Sequence, residues 1–318
     1  MFSAIRNTLP RQASRAYSTG GGVYKGPQAI LWGVLATGGV LVAGYSYMRS
    51  KNPRDTEEPA RLALNSRKFK PFTLQEKVPI NHDTSMFRFA LDPDEELGLY
   101  VTSCFVAKAK VGDDEKPIVR AYTPVSPQYA RGYFDMVVKK YDDGKMSSHI
   151  HGLEPGDVLH IKGPIHKLVY NANDFKEIAM VAGGSGITPM LQLLQHVLDD
   201  PKDKTKLTLV YANKSEDDII LRPLLDSYAE KYPKQFRVVY TVDKASTPDW
   251  KGEVGYVTKD MLQKYFPPAS KDNVMMMVCG PLPMMKSVSG PKLPDFSQGE
   301  VDGVFKELGY KSDQVFKF

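Results

Sequence analysis

Cysteine is nearly absent from this sequence, with Cys104 and Cys279 the only two among 318 residues. Two thiols cannot build a disulfide framework or a cysteine-based zinc or iron–sulfur site, so a reduced or thiol-indifferent compartment fits. The six histidines make no better metal case, because His149 and His151 stand two apart and diverge on a helix. No internal repeat is visible, and no Lys-Ser or Lys-Thr pair closes a glycine-rich stretch, which excludes a Walker A loop. Acidic residues are missing from residues 1–54, which hold seven basic ones. Against a formal net charge of +5 for the whole chain, the remainder therefore carries −2. The basic excess belongs to the leader and not to the body, so no nucleic-acid partner is expected.

What is present begins with that leader. Residues 1–25 have the composition of a mitochondrial targeting segment: arginines and serines without acids, with Arg15-Ala-Tyr-Ser18 resembling a matrix-processing site cut after Tyr17. Residues 26–48 carry no charge, begin with Trp32 in their first turns and end on Tyr45 and Tyr47. At about 1.5 Å per residue this stretch can cross a hydrocarbon core of about 30 Å, so a single transmembrane anchor is expected there. Residues 49–68 read as a polar linker. The rest of the chain, with 42% hydrophobic and 25% charged residues overall, is long enough for two domains.

From 69 to 173 the signals are those of strands. Phe72–Val78, Met86–Leu91, Tyr100–Lys108, Val119–Thr123, Tyr133–Tyr141 and Val158–Lys162 are β-branched or aromatic runs separated by Asp, Gly, Pro and Asn. A small antiparallel barrel is expected, with one short helix opening near Lys145 after Gly144. From 174 to 318 the pattern alternates: strands at Glu177–Ala182, Leu207–Ala212, Phe236–Val242 and Val274–Cys279, with helices after Thr188 and over 221–232, 258–265 and 301–308. Alternation implies a doubly wound parallel sheet, whose ligands bind beyond the carboxyl ends of the strands where strand order reverses. Two strand ends carry unusual turns, Gly183-Gly-Ser-Gly186 and Cys279-Gly-Pro281. The first leads into a helix with Thr188 as the expected N-cap and Pro189 as its first residue, a place where free amides favour an anion. Taken alone, the first is equally a plain strand-to-helix connection, and the second reads as a Pro-rich turn after a core strand.

Read together with Arg120-Ala-Tyr-Thr-Pro124, Gly144-Lys-Met-Ser147 and the end Phe305–Phe318, those turns resemble the ferredoxin-reductase-like flavoproteins. Among them the chain looks like the NADH–cytochrome b5 reductase family, and its leader resembles that of the mitochondrial fungal form. The resemblance covers roughly 69–318 and implies an FAD-binding β-barrel domain followed by an NADH-binding α/β domain. It implies FAD contacts from Arg120, Tyr122, Thr123, Val137, Lys139, Lys145, Met146, Ser147 and Thr188. Arg120 would pair with the phosphates, Thr123 would sit at the flavin edge where hydride arrives, and the amides of Lys145, Met146 and Ser147 would cradle the pyrophosphate. On the NADH side it implies Gly183 and Gly184 beside the nicotinamide. Cys279, Gly280 and Pro281 would hold the ring flat, Cys279 orienting and not attacking. Asp243 would lie at the ribose, accepting its hydroxyls and repelling a 2′-phosphate.

The implied reaction is hydride transfer from NADH to FAD, then single electrons to a cytochrome b5-type haem protein. Lys162 and Lys167 are the basic residues expected to steer that partner. A mitochondrial, membrane-anchored location is expected, in the outer membrane, with an intermembrane-space form after processing. Two other readings stay open on the sequence alone. The same flavin chemistry could serve a quinone or small radical, or the chain could be a non-catalytic, membrane-tethered binding protein. No metal is expected.

Overall fold

The computed structural model describes residues 59–112 and 116–318; the expected targeting segment and anchor, and most of the expected linker, lie outside them. Among the described residues no helix is long and apolar enough to cross a membrane. The linker expected over 49–68 gives way to folded structure before its end. Strand β1 (Arg61–Leu62) pairs in parallel with β4 (Glu95–Glu96), and Ala63 is 1% exposed in the barrel core. A small apolar side chain is what lets this segment lie against the barrel instead of in water.

Six strands make the first domain: β2 (Lys70–Pro79), β3 (Thr84–Ala90), β5 (Ser103–Ala109), β6 (Ile118–Tyr122), β7 (Tyr133–Lys139) and β8 (Val158–His166). They form one antiparallel sheet in the order β6-β5-β8-β2-β3-β7. Its curvature is visible in the ring of Phe134. On β7 it meets Phe89 of neighbouring β3 at 5.2 Å between centroids, and also Phe105 of β5 at 5.7 Å, although three strands intervene in the sheet. Only a sheet rolled on itself brings those rings together, which is the expected barrel. Helix α1 (Lys145–His151) begins where Gly144 predicts. Alternation explains the inward residues: Phe72 and Leu74, Phe87 and Phe89, Leu159 and Ile161 are buried. Strand β7 differs because both of its faces are covered. Phe134, Met136 and Val138 point into the core, while Asp135, Val137 and Lys139 on the other face are also buried.

The second domain is a six-stranded parallel sheet, ordered β12-β11-β10-β9-β13-β14. Its strands are β9 (Glu177–Gly183), β10 (Lys206–Asn213), β11 (Phe236–Val242), β12 (Glu253–Val254), β13 (Val274–Cys279) and β14 (Val315–Lys317). Helices α2 (Ile187–Asp199), α3 (Arg222–Lys231), α4 (Lys259–Tyr265), α5 (Leu282–Ser289) and α6 (Gly303–Glu307) join them. Continuous apolar runs in β9 and β13 split between two cores, as burial on both faces requires. Met180 and Met277 join α2 on one face, while Val181 and Val278 meet Leu262, Met285 and Phe305 on the other.

Two local expectations are corrected. Thr188 is not the N-cap: a 3-10 turn at Gly184–Gly186 precedes the helix, and α2 starts at Ile187 with Gly186 as its cap. Thr188 instead donates its hydroxyl to Ser185 O at 3.3 Å, and Pro189 sits inside the first turn, where its missing N–H costs no helix bond. The Pro-rich stretch after Cys279 is a helix, α5, because Pro283 falls in its first turn and is tolerated there.

Helix α2 is buried almost all round because it lies between the sheet and the barrel. Its Gln192 donates to Ser103 O at 3.1 Å, and Val101 and Val125 of the barrel domain pack on the same core. Cutting Phe134 to alanine removes the ring on which the rolled sheet closes. Phe134→Ala is expected to cost about 3–5 kcal/mol in urea denaturation followed by circular dichroism.

Candidate active site

The chain runs outward from β9 through β10 and β11 to β12, then returns to place β13 on the other side of β9. Strand order therefore reverses between β9 and β13, and both unusual turns stand at that reversal. They touch. A methyl group added to Gly186 would lie 2.2 Å from the Cys279 carbonyl oxygen, and one added to Gly280 would lie 2.5 Å from Met284 Cε. At Gly186 glycine is required by the close approach of two backbones.

Facing these turns, a cavity of about 990 Å³ opens between the two domains. All nine residues expected on the flavin side line it: Arg120, Tyr122 and Thr123 from the end of β6, Val137 and Lys139 from β7, Lys145, Met146 and Ser147 from α1, and Thr188 from α2. Cys279, Gly280 and Pro281 line it from the opposite domain. Gly183, Gly184 and Asp243 do not. Gly183 is pressed against α5, where an added methyl would stand 2.7 Å from Met284 Sδ, so it shapes the turn from behind. Gly184, at φ +51°, makes the left-handed step that starts the 3-10 turn, and its carbonyl accepts the Tyr211 hydroxyl at 2.9 Å. Asp243 is exposed just past β11, on the same carboxyl edge of the sheet but outside the cavity.

The wall's electrostatics follow from its elements. Arg120 is exposed and bonds only the neighbouring Val119 carbonyl, at 2.9 Å, so its guanidinium carries no carboxylate partner among the described residues. In α1 the first ladder bond runs from Ser148 N to Gly144 O at 2.8 Å, which leaves the amides before it outside the helix ladder. The Ser147 hydroxyl donates to Gly144 O at 2.9 Å and ties that turn down. Burial pushes the Tyr122 phenol up to about 12 and the Cys279 thiol up to about 12, so both are neutral at physiological pH. A neutral Cys279 suits a packing and orienting role and not a nucleophile.

Lys139 is set differently from its neighbours. Its ammonium lies 2.7 Å from Asp83 Oδ2 and 2.8 Å from Asp218 Oδ1. Burial alone would lower its pKa, but hydrogen bonds to Asp218 and Asp83 prevail and raise it. Burial would likewise raise the Asp218 carboxyl, yet the bonds from Lys139 and Ser215 hold it below the ordinary carboxylate range.

Several lining residues escaped sequence reasoning. Tyr141 stands on the same strand alternation as Val137 and Lys139, a period-2 signal that was available. Its hydroxyl meets Ser185 Oγ at 2.8 Å, joining the barrel to the glycine turn. Phe318 also lines the cavity, although its segment served only for the resemblance and was given no site role. Of the two lysines expected to steer a partner, Lys167 lines the cavity, whereas Lys162 does not: its ammonium lies 5.1 Å from the Phe69 ring centroid.

Comparison with known proteins bears on this arrangement. Residues 71–170 match the oxidoreductase FAD-binding domain and residues 180–290 the oxidoreductase NAD-binding domain. The chain is 48% identical over 266 residues to an NADH-cytochrome b5 reductase-like protein of Arabidopsis thaliana, covering 82% of this chain and 80% of the relative. It is 40% identical over 340 residues to NADH-cytochrome b5 reductase 2 of Mycosarcoma maydis, covering 99% and 95%. Among solved structures, the cytochrome b5 reductase domain of Ulva prolifera nitrate reductase superposes with a TM-score of 0.71 at 33% identity. That match covers 81% of this chain and all of that domain.

A carboxyl whose pKa is depressed on folding contributes stability above its unfolded value, about 3.9, and that contribution is lost as pH falls through the folded value. Asp218 is such a group. Acidification from pH 5 to pH 3 is therefore expected to shift the urea midpoint of the unaltered protein more than that of Asp218→Asn, which has no carboxyl to protonate there.

Proposed function

Because the chain belongs to the NADH–cytochrome b5 reductase family, we propose that it carries electrons from NADH through FAD to a cytochrome b5-type haem protein while tethered to the outer mitochondrial membrane by residues 26–48. One observation carries this reading: a single cavity is walled on one side by the barrel's Arg120–Thr123 and α1, and on the other by the Cys279–Pro281 turn. Two bound molecules that exchange hydride need such a shared space, because reaction requires contact distance and alignment.

The cavity's residues fit FAD. About 990 Å³ suits a large cofactor. Arg120 offers a fork for phosphate oxygens, and the start of α1 offers backbone donors to a pyrophosphate. When bound, FAD takes a hydride from NADH and gives up electrons singly, which is the chemistry the protein itself lacks. The chain's own groups bind, orient and exclude water. Tyr122 presents a neutral ring, Thr123 a hydroxyl at the end of β6, and Cys279 a compact neutral wall. Gly280 and Pro281 leave room for a flat ring because neither has a long side chain. The Asp243 carboxylate supports NADH over NADPH, since a 2′-phosphate beside it would be repelled. Lys167 at the cavity supports an acidic partner, whose encounter is screened by salt.

An anaerobic titration tests each part. NADH is expected to bleach the flavin at least about tenfold faster than NADPH, a discrimination of about 1.4 kcal/mol, and Asp243→Ala to narrow that gap. Added cytochrome b5 should then be reduced at a rate that falls with ionic strength, and Lys167→Glu should slow it. Flavin that bleaches while the haem stays oxidised would show that the acceptor has been misidentified.

A further inference from the structure

The seam between the domains is unlike on its two sides. Along α2 it is largely apolar, with Val101 and Val125 of the barrel domain packed into the core around Met190 and Leu194. On the side of β7 it is polar and charged. The turn between β2 and β3 reaches the loop after β10, where the Asn81 amide donates to Asp217 O at 2.9 Å and Lys139 bridges Asp83 to Asp218. Lys139 and Asp83 belong to the barrel domain and Asp218 to the parallel-sheet domain. Asp218 is itself held by the Ser215 hydroxyl at 2.7 Å and by Ser215 N at 3.1 Å. His82, Asp83 and Asp218 bring ligand atoms within 4.8 Å of one another, but the ammonium already lies between the carboxylates and supplies the positive charge a metal would.

We propose that Lys139 is an interdomain positioning residue, whose ammonium, shared between Asp83 and Asp218, sets the gap between the flavin-side and nicotinamide-side walls of the cavity. This rests on the reading that the two cofactors meet there. Lys139 lines the cavity between Val137 and Tyr141, so the ion triad stands at the cavity's own edge and not at a remote contact. A buried charge left without its partner is strongly unfavourable, so parting the domains on this side is opposed by the Lys139–Asp218 pair, which crosses the seam between two buried side chains. The α2 side is tied by amide hydrogen bonds instead of charge, Gln192 donating to Ser103 O at 3.1 Å and Gln195 to Val125 O at 3.4 Å. This differs from the contact that the family resemblance implies, in which Lys139 touches the flavin directly.

A double-mutant cycle separates the two. The full-length holoprotein and the variants Lys139→Met, Asp218→Asn and the pair together are mixed anaerobically with saturating NADH, and flavin bleaching is followed by stopped flow. Asp218 does not line the cavity, so a direct cofactor role for Lys139 leaves the Asp218→Asn rate unchanged. The positioning role predicts that each single variant bleaches roughly ten- to a hundredfold more slowly, since small misplacements of reacting atoms have effects of that order. It also predicts that the double variant is no slower than the slower single, and that Asp218→Glu recovers most of the rate. Hydrogen exchange should quicken together in residues 80–84 and 215–218 of Asp218→Asn, a readout that survives even where flavin is lost. An unchanged bleaching rate in Asp218→Asn, rate losses that multiply, or exchange that quickens in only one of the two segments would overturn the proposal. Failure of the unaltered protein to bleach would instead refute the reading beneath it.

Discussion

The carbonyl of Cys279 and the backbone of Gly186 lie closer together than any side chain would permit, and the cavity wall supplied by the parallel-sheet domain depends on that approach. A parallel sheet leaves its strand ends in one row, and a reversal of strand order leaves two neighbouring ends, those of β9 and β13, free to turn away on opposite faces. Here α2 leaves on the face packed against the barrel, and α5 leaves on the other. The crevice between them narrows until only glycine fits at position 186. Gly183 is held from behind by Met284, so the turn is supported by the first helical turns of α5 and not by solvent.

Across the cavity the barrel supplies a surface of the opposite character. Strand β7 explains it best, because one face of the strand feeds the barrel core while the other meets the cavity and the second domain. Asp135 on that outer face is satisfied by Arg88 at 2.8 and 2.9 Å, Val137 faces the cavity, and Lys139 is satisfied by two carboxylates. Polar groups can be buried on this face because each finds a partner of opposite charge at hydrogen-bond distance. An uncharged wall of the same shape would hold the domains together without a preferred orientation. An ammonium with one carboxylate partner on each side, as Lys139 has in Asp83 and Asp218, imposes one.

Much of this was legible in the residues themselves. Six barrel strands and four of the strands in the parallel sheet were marked by aromatic and β-branched runs, and Val274–Cys279 and Phe236–Val242 appear with the expected bounds. What the sequence concealed was short or context-dependent. β12 and β14 are two and three residues long, too brief for a periodic signal. α5 hides behind prolines that a first helical turn tolerates. β1 carries one small buried residue in a stretch that otherwise reads as polar linker.

The site divides in the same way. Sequence alone marked Arg120, the glycine turn, Lys145–Ser147 and Cys279–Pro281 as the segments to watch, because residue type and local spacing set them apart and together they carry the family resemblance. Only the tertiary structure decided that these segments share one cavity, that Asp243 and Gly183 stand outside it, and that Tyr141 and Phe318 stand within. It also decided that Lys139, which lines the cavity, is bound by Asp83 and Asp218. The physical reason is that a charge's role depends on which opposite charge burial brings beside it, and here that partner lies 79 residues further along the chain.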